Sequence, residues 1–301
     1  MDNNSFEFEQ YLNCIHEDKW EEASRIKNNA IPRTLYKFIS LENPPVCSSC
    51  KNELYCFCEV CNQNNECKHI SENSKKLNTL NKNQLWLSSF NSYNDPFEFK
   101  VLFPDKSKVN GHEDVCFSLL SSIKKQLRIS CFVGVGPYKD MPFWAYYANN
   151  HQGFCVEYNV KNPDFIFPVH YETRRVAIGN IFGIIIDGIM KAEEEGLLEL
   201  DELPEKYISY VLLSALIKSA NWMHENEFRI IQYARNPEEV GEYVNIKKLG
   251  LEPKQIFVGT SCEEKNKGRL VEIAKSKSIL INEMYLDEFT SEYELKARPL
   301  Y

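Results

Sequence analysis

Residues 222–232, WMHENEFRIIQ, read as the end of a helix running directly into a strand. From Glu227 onward charged and apolar residues alternate, with Phe228 and Ile230 flanking Arg229, which is the period of a strand. In an extended chain residues i, i+2 and i+4 share a face. Glu225, Glu227 and Arg229 are therefore predicted to point one way. Two readings of that face stay open. It is the wet side of an amphipathic strand whose buried side is Phe228 and Ile230, or it is the wall of an active site.

The same mixture of helix and strand recurs on both sides of this stretch. Residues 5–30 carry Phe8, Leu12, Ile15, Trp20, Ala23 and Ile26 at helical spacing, and Pro32 ends that segment. TLYKFIS (34–40) reads as a strand, and LNTLNKNQLWLSS (77–89) as a short helix, a turn and a strand. A helix is predicted near 113–127 and a strand over 127–135. A short aromatic helix follows in MPFWAYY, then a turn at Gly153, a strand over 154–160 and another in FIFPVHYE. Apolar-rich helices are predicted over 178–195 and 203–223, and strands in QIFVGTSC and LINEMYLD. The regular βαβ alternation of a doubly wound sheet is missing. The pattern predicts an α+β fold on a mixed or mostly antiparallel split sheet with flanking helices. Residues 1–31 form a helical opening, and 32–301 a single α+β domain with a Cys-rich insertion at 44–73.

Hydrophobic residues make up 43% of the 301, enough for a sizeable core. The net charge of −8 argues against a protein whose main task is gripping a nucleic-acid backbone. No apolar run reaches the roughly 18–20 residues of a membrane span. The opening MDNNSFEFEQ lacks the pattern of a secretory signal. The expectation is a cytoplasmic protein, without a membrane partner, whose 11 cysteines are thiols or metal ligands.

Six of those cysteines lie between Cys47 and Cys67, with His69 just beyond. Cys47-x-x-Cys50 and Cys58-x-x-Cys61 are two knuckle pairs, and the seven residues between them allow a hairpin to bring four thiolates onto one tetrahedral Zn²⁺. Four sulfur ligands close the coordination shell, so the predicted zinc is structural. Cys56, Cys67 and His69 are possible substitutes. Free thiols are the alternative reading.

Several pieces carry a resemblance: LYKF (35–38), LWLSSFNSYNDPFEF (85–99), ISCF (129–132), FWAYYANNHQGFCVEYNV (143–160) and WMHENEFRII (222–231). In this order, over residues from about 33 to 260, they resemble the bacterial domain-of-unknown-function family 2971. That family typically shows a Phe-Asn-Asp-Pro-Phe-Glu motif, a Cys-Phe-Ser strand, a Trp-x-x-Tyr-Ala…Gly-Phe-Cys block and a Glu-x-Glu-aromatic-Arg strand. This chain departs with Tyr93 where the family has Phe and Val133 where Ser is usual, and the Cys-rich insertion is not a family hallmark.

LYKFIS…LNTLNKNQLWLSS is more distantly similar to the opening of ADP-ribosyltransferase-like proteins, which end with Glu or Glu-x-Glu at the start of a late strand. The resemblance implies an NAD-using enzyme. Its catalytic pair would be Glu225 and Glu227, and its NAD-contacting residues Tyr36, Lys37, Ser88, Ser89, Asn94, Asp95, Trp144, Tyr147 and Arg229. The family's first-strand histidine or arginine is replaced by Lys37, or taken by Arg33 just outside the strand. Cleaving the nicotinamide–ribose bond passes through an oxocarbenium-like cation, which a fixed carboxylate stabilises. A second acid two residues earlier orients or deprotonates the acceptor. The aromatics stack on nicotinamide or adenine, and Arg229 pairs with the pyrophosphate. The acceptor would be a protein or a nucleic acid, and the setting a toxin or phage-defence system with its own partner protein. Two other classes are carried beside this one: a non-catalytic, zinc-stabilised binding or sensor module, and a Mg²⁺ nuclease using Asp95, Glu98 and Glu227.

Overall fold

The structure, a computed structural model, describes residues 6–43, 68–89, 95, 97–100, 102–103, 121, 124–177, 212 and 215–301. The knuckle cysteines Cys47, Cys50, Cys58 and Cys61, together with Cys56, Cys67, the His69 side chain and Asn94, lie outside the described residues. The helix predicted over 178–195 also lies outside them, as does most of those near 113–127 and 203–223.

Two helices open the chain, α1 (Phe8–His16) and α2 (Trp20–Asn29). They are separated where Asp18 turns left-handed at φ 56°. Strand β1 (Thr34–Ile39) follows, then α3 (Lys68–Asn81), β2 (Gln84–Ser88), β3 (Leu102–Phe103) and β4 (Leu127–Val133). The aromatic helix α4 (Met141–Tyr146) precedes β5 (Phe154–Val160), β6 (Ile166–Pro168), β7 (His170–Glu172) and β8 (Val176–Ala177). Strand β9 (Ile217–Ser219) leads through a 3₁₀ turn, Ala220–Glu225, into β10 (Glu227–Tyr233). The chain closes with β11 (Gly241–Asn245), a second 3₁₀ turn (Ile246–Leu249), β12 (Leu251–Val258), α5 (Glu264–Lys277), β13 (Leu280–Leu286) and β14 (Leu295–Pro299). The protein is α+β, with a mixed, mostly antiparallel sheet.

The chain divides into two compact units. The first comprises Met1–Pro32, Trp86–Cys131 and Asn162–Glu242. The second comprises Arg33–Leu85, Phe132–Lys161 and Tyr243–Tyr301. The helical opening thus belongs with the first unit, and residues 32–301 are shared between both.

In the first unit the helical spacing of the opening is realised as a packed face. Phe8, Tyr11 and Ile15 of α1 and Ala23 and Ile26 of α2 are buried with Phe99, Leu127, Ile129, Leu216, Ile217 and Ile231. Strand β10 runs antiparallel to β6, with Arg229 opposite Phe167. Strands β7 and β9 pair in parallel, with Tyr171 opposite Lys218. These pairings correct two expectations. FIFPVHYE is not one strand: β6 pairs with β10 and β7 with β9, and the chain changes partner at Val169. The helix expected to run to 223 gives way to β9 at Ile217, where the backbone groups pair with β7 instead of within a helix.

The second unit is organised on the order β1-β5-β12-β13-β14. Strand β5 lies antiparallel to both β1 and β12, with Val156 opposite Lys37 and Ile256. Its residues Phe154–Tyr158 are buried, Glu157 included, as befits a strand with a neighbour on each side. Strands β12 and β13 run parallel and are joined by α5, as a parallel connection requires. Trp144, Cys155, Phe257, Met284 and Leu295 form the core, with Tyr36 and Phe38 packed against it. Gly153 opens β5 where a Cβ would meet the Ile39 carbonyl oxygen at 2.0 Å, so the close approach itself demands glycine. Among the described residues no helix is long and apolar enough to cross a membrane.

Candidate functional site

Three pieces of the first unit build the most charged part of its interior. Ser219 adopts extended geometry, and its hydroxyl accepts the Asn221 N–H at 3.4 Å, starting the 3₁₀ turn. Asn226 ends the turn in the left-handed region at φ 43°, which asparagine tolerates better than most residues. The turn folds β10 back beside the end of β9, so Lys218 faces both Glu225 and Glu227. The third piece is the turn Phe97–Phe99, which follows Asp95. The Asp95 carboxylate accepts the Phe97 N–H at 2.9 Å, and Glu98 points inward.

The Lys218 ammonium lies 2.5 Å from Glu225 Oε2 and 2.9 Å from Glu227 Oε2, with Glu98 Oε2 at 4.0 Å. Arg229 grips Glu227 with a fork, Nε to Oε1 at 2.8 Å and Nη2 to Oε2 at 3.0 Å. Its Nη1 donates to the Ala215 carbonyl at 2.6 Å. Glu98 Oε1 is 2.8 Å from Arg229 Nη2, and the two form an ion pair. The Phe99 ring lies 5.7 Å from the guanidinium carbon, and the Trp222 ring 5.2 Å from the Lys218 nitrogen. The Tyr171 hydroxyl accepts the Glu227 backbone N–H at 2.9 Å, and the Cys131 thiol bonds its carboxylate.

All five charged residues are buried, and Arg229 is 0% exposed. The alternation of the sequence therefore does not mean one wet face: Glu227–Ile231 are buried throughout. Nor do the three charges share a strand face, because Glu225 sits in the 3₁₀ turn and only Glu227 and Arg229 are two apart in β10. The left-handed Asn226 brings the two acids together instead.

Burial alone would raise the Glu227 carboxyl, but Arg229 and Lys218 overcome it and hold the group at about 2. Desolvation pulls Lys218 down, and Glu227 and Glu225 more than reverse it, leaving it above the ordinary lysine value. Burial pulls Arg229 down in the same way, and Glu227 and Glu98 more than reverse it. Glu98 shifts the other way. Burial lifts it above the ordinary glutamate value and Glu227 adds to that, against the pull of Arg229 and Lys218. Glu98 therefore takes up a proton more readily than an ordinary glutamate, while Glu227 gives one up more readily.

The remaining sequence-predicted residues are distributed as follows. Ser88 Oγ donates to the Ile129 carbonyl at 3.4 Å, and buried Ser89 gives its backbone N–H to Val240 at 2.9 Å; both lie in the first unit. Tyr36, Lys37, Trp144 and Tyr147 lie in the second. Lys37 rests over the Phe132 ring at 5.0 Å. Burial, with Glu157 adding to it, pushes the Tyr36 hydroxyl up to about 12. Trp144 is fully buried, with its indole N–H on the Pro137 carbonyl at 2.8 Å and its ring against Phe38 and His151, so no face is left for a ligand. Tyr147 is partly exposed and packs on Phe143.

Lys218 and Tyr171 join the cluster without having stood out in the sequence. The only signal for Lys218 is a lone cation at the end of the apolar run YVLLSALIK, shortly before two acids. Among the described residues, no three His, Cys, Asp or Glu side chains are grouped to hold a metal ion. Comparison with protein-family models, curated protein sequences and solved structures returned no match.

Proposed function

We propose that Glu225 and Glu227 form the acidic centre of an NAD-cleaving, ADP-ribosyltransferase-like site, as expected for a toxin or phage-defence effector. The observation that carries this reading is the buried cluster in which Lys218 and Arg229 keep Glu227 ionised at about 2. A carboxylate that is an anion at every physiological pH, in surroundings that exclude water, is what an oxocarbenium-like transition state demands. In the proposed step the C1′–N bond of NAD breaks, nicotinamide leaves with the bonding electrons, and an acceptor oxygen or water closes on C1′. Glu225 takes the acceptor's proton. The motifs at 85–99 and 222–231 also come together in space. Glu98 of the first motif and Glu227 and Arg229 of the second, far apart in sequence, meet in this cluster.

One observation favours the alternative of a non-catalytic, zinc-stabilised binding module. Both Glu227 oxygens are already bonded, and its side chain is 3% exposed. The two readings separate in an assay with a fluorescent etheno derivative of NAD, whose emission rises when the nicotinamide bond is cut. An enzyme gives a rise with the wild type and none with Glu227→Gln or Glu225→Gln at unchanged fold. A binding module gives no rise with any of the three.

A further inference from the structure

The second unit contains a cavity of about 860 Å³, within the usual range of small-molecule sites. It lies between the last turn of α5, the turn after α3 and the start of β12. Lys161, Lys247, Lys254 and Lys277 line it, against a single acid, Glu252. In a chain of net charge −8 this is a local reversal of sign.

Two of the lysines sit in ion pairs. Lys161 pairs with Glu252 at 2.9 Å and Lys254 with Glu157 at 2.5 Å. Among the described residues Lys277 gives its ammonium to neutral oxygens, the Asn81 carbonyl at 2.7 Å and Asn83 Oδ1 at 2.6 Å. Burial lowers its pKa from the ordinary lysine value, with no acid opposing the shift. Lys247 lies on the second 3₁₀ turn with its side chain exposed, and exerts only a weak pull on Glu252, which Lys161 already holds. The backbone N–H of Lys247 is taken by the Asn245 side chain, which holds the turn in place. The wall also carries neutral hydrogen-bonding side chains, Asn83, Ser276 and Ser278.

We infer that this cavity binds a small phosphorylated ligand through a diphosphate group, with Lys247 and Lys277 as the cations left over for it. A diphosphate presents several negative oxygens to ammonium groups spread around one concavity, each lysine acting as a point charge. A concavity of about 860 Å³ is large enough for a nucleoside diphosphate. None of the lining residues belongs to the Glu225–Glu227 cluster, and occupancy does not depend on whether those acids cleave NAD.

The test is calorimetric titration of the full chain with inorganic pyrophosphate and, separately, with ADP in magnesium-free buffer. Both should bind saturably and weaken with rising salt. Lys247→Glu, a change at an exposed side chain, should weaken both by about tenfold with an unchanged melting temperature. Lys161→Glu, which breaks the pair with Glu252 and adds an anion to the lining, should also weaken both, with its melting temperature recorded alongside. Comparable affinities for the two ligands would mean that the phosphates are read, and tighter ADP binding that the nucleoside is read as well. Absence of saturable binding by either, or affinities unchanged in both variants, overturns the inference.

Discussion

Replacing Arg229 with methionine probes the buried cluster most severely. The substitution keeps much of the length of the side chain but removes both fork bonds to Glu227, the ion pair to Glu98 and the bond to the Ala215 carbonyl. Three carboxylates would then share Lys218 alone. Breaking a buried pair by removing one partner costs about 3–5 kcal/mol. Whole-protein stabilities are only about 5–15 kcal/mol, so Arg229→Met should lower the urea midpoint sharply at neutral pH. The pH dependence is more diagnostic than the size. In the wild type Glu227 has a depressed pKa, so its contribution is full above 4.5 and is lost as the pH falls toward about 2. At about 1.36 kcal/mol per pH unit the loss is somewhat over 3 kcal/mol, partly offset by Glu98, which takes up its proton more readily folded than unfolded. Without Arg229 the acids have lost their main cation, and protonation relieves the cost of burying them. The stability gap between wild type and variant should therefore shrink as the pH falls from 7 to 4. A penalty under about 1 kcal/mol, or a gap constant over that range, would refute the argument that these ion pairs govern this interior.

Other outcomes follow from the same structure. Adding Glu227→Leu to Arg229→Met should recover about 1–3 kcal/mol in the same urea experiment, because the second change removes a carboxylate stranded by the first. Gly268 sits inside α5 with nothing within 4 Å of where a Cβ would stand, so Gly268→Ala should stabilise by about 0.5–1 kcal/mol in that experiment. Gly153→Ala should instead cost about 1–3 kcal/mol, since its methyl would collide with the Ile39 carbonyl. Elemental analysis should find one zinc per chain, lost on combining Cys47→Ser with Cys58→Ser, if the two knuckle pairs share one ion.

The parts of the fold legible in the sequence are those whose local signal agrees with their final environment. Strand β5 is a mainly apolar segment that starts after Gly153, and α1 and α2 keep their buried residues at helical spacing. Helix α5 gives little sign of itself because EKNKGRLVEIAKSK is polar nearly throughout, with Leu270, Ile273 and Ala274 as its main apolar anchors. Strand β14, LKARP, is equally quiet, because an edge strand half open to solvent has little apolar pattern to show. Residues 217–219 mislead for a different reason. A short apolar run satisfies helix and strand templates alike, and pairing with β7 decides between them.

The candidate site shows the same division. Glu225, Glu227 and Arg229 stand out by spacing, and Glu98 by its place in a turn-rich motif. Their common partner Lys218 does not, because its role depends on a chain reversal at Asn226 and on strand pairing with Tyr171. Whether the acids face water is also illegible, since strict alternation is equally compatible with a strand buried on both faces and neutralised by ion pairs.

The proposed role of the acids at 225–227 is to cleave NAD. Its most direct test is mass spectrometry of nicotinamide released from NAD by the purified wild type and by Glu227→Gln, with cell lysate supplied as a source of acceptor and the melting temperature of each protein recorded alongside. The account expects nicotinamide from the wild type and none above background from a folded Glu227→Gln. Equal release from both, or no release from a folded wild type with lysate present, would contradict it.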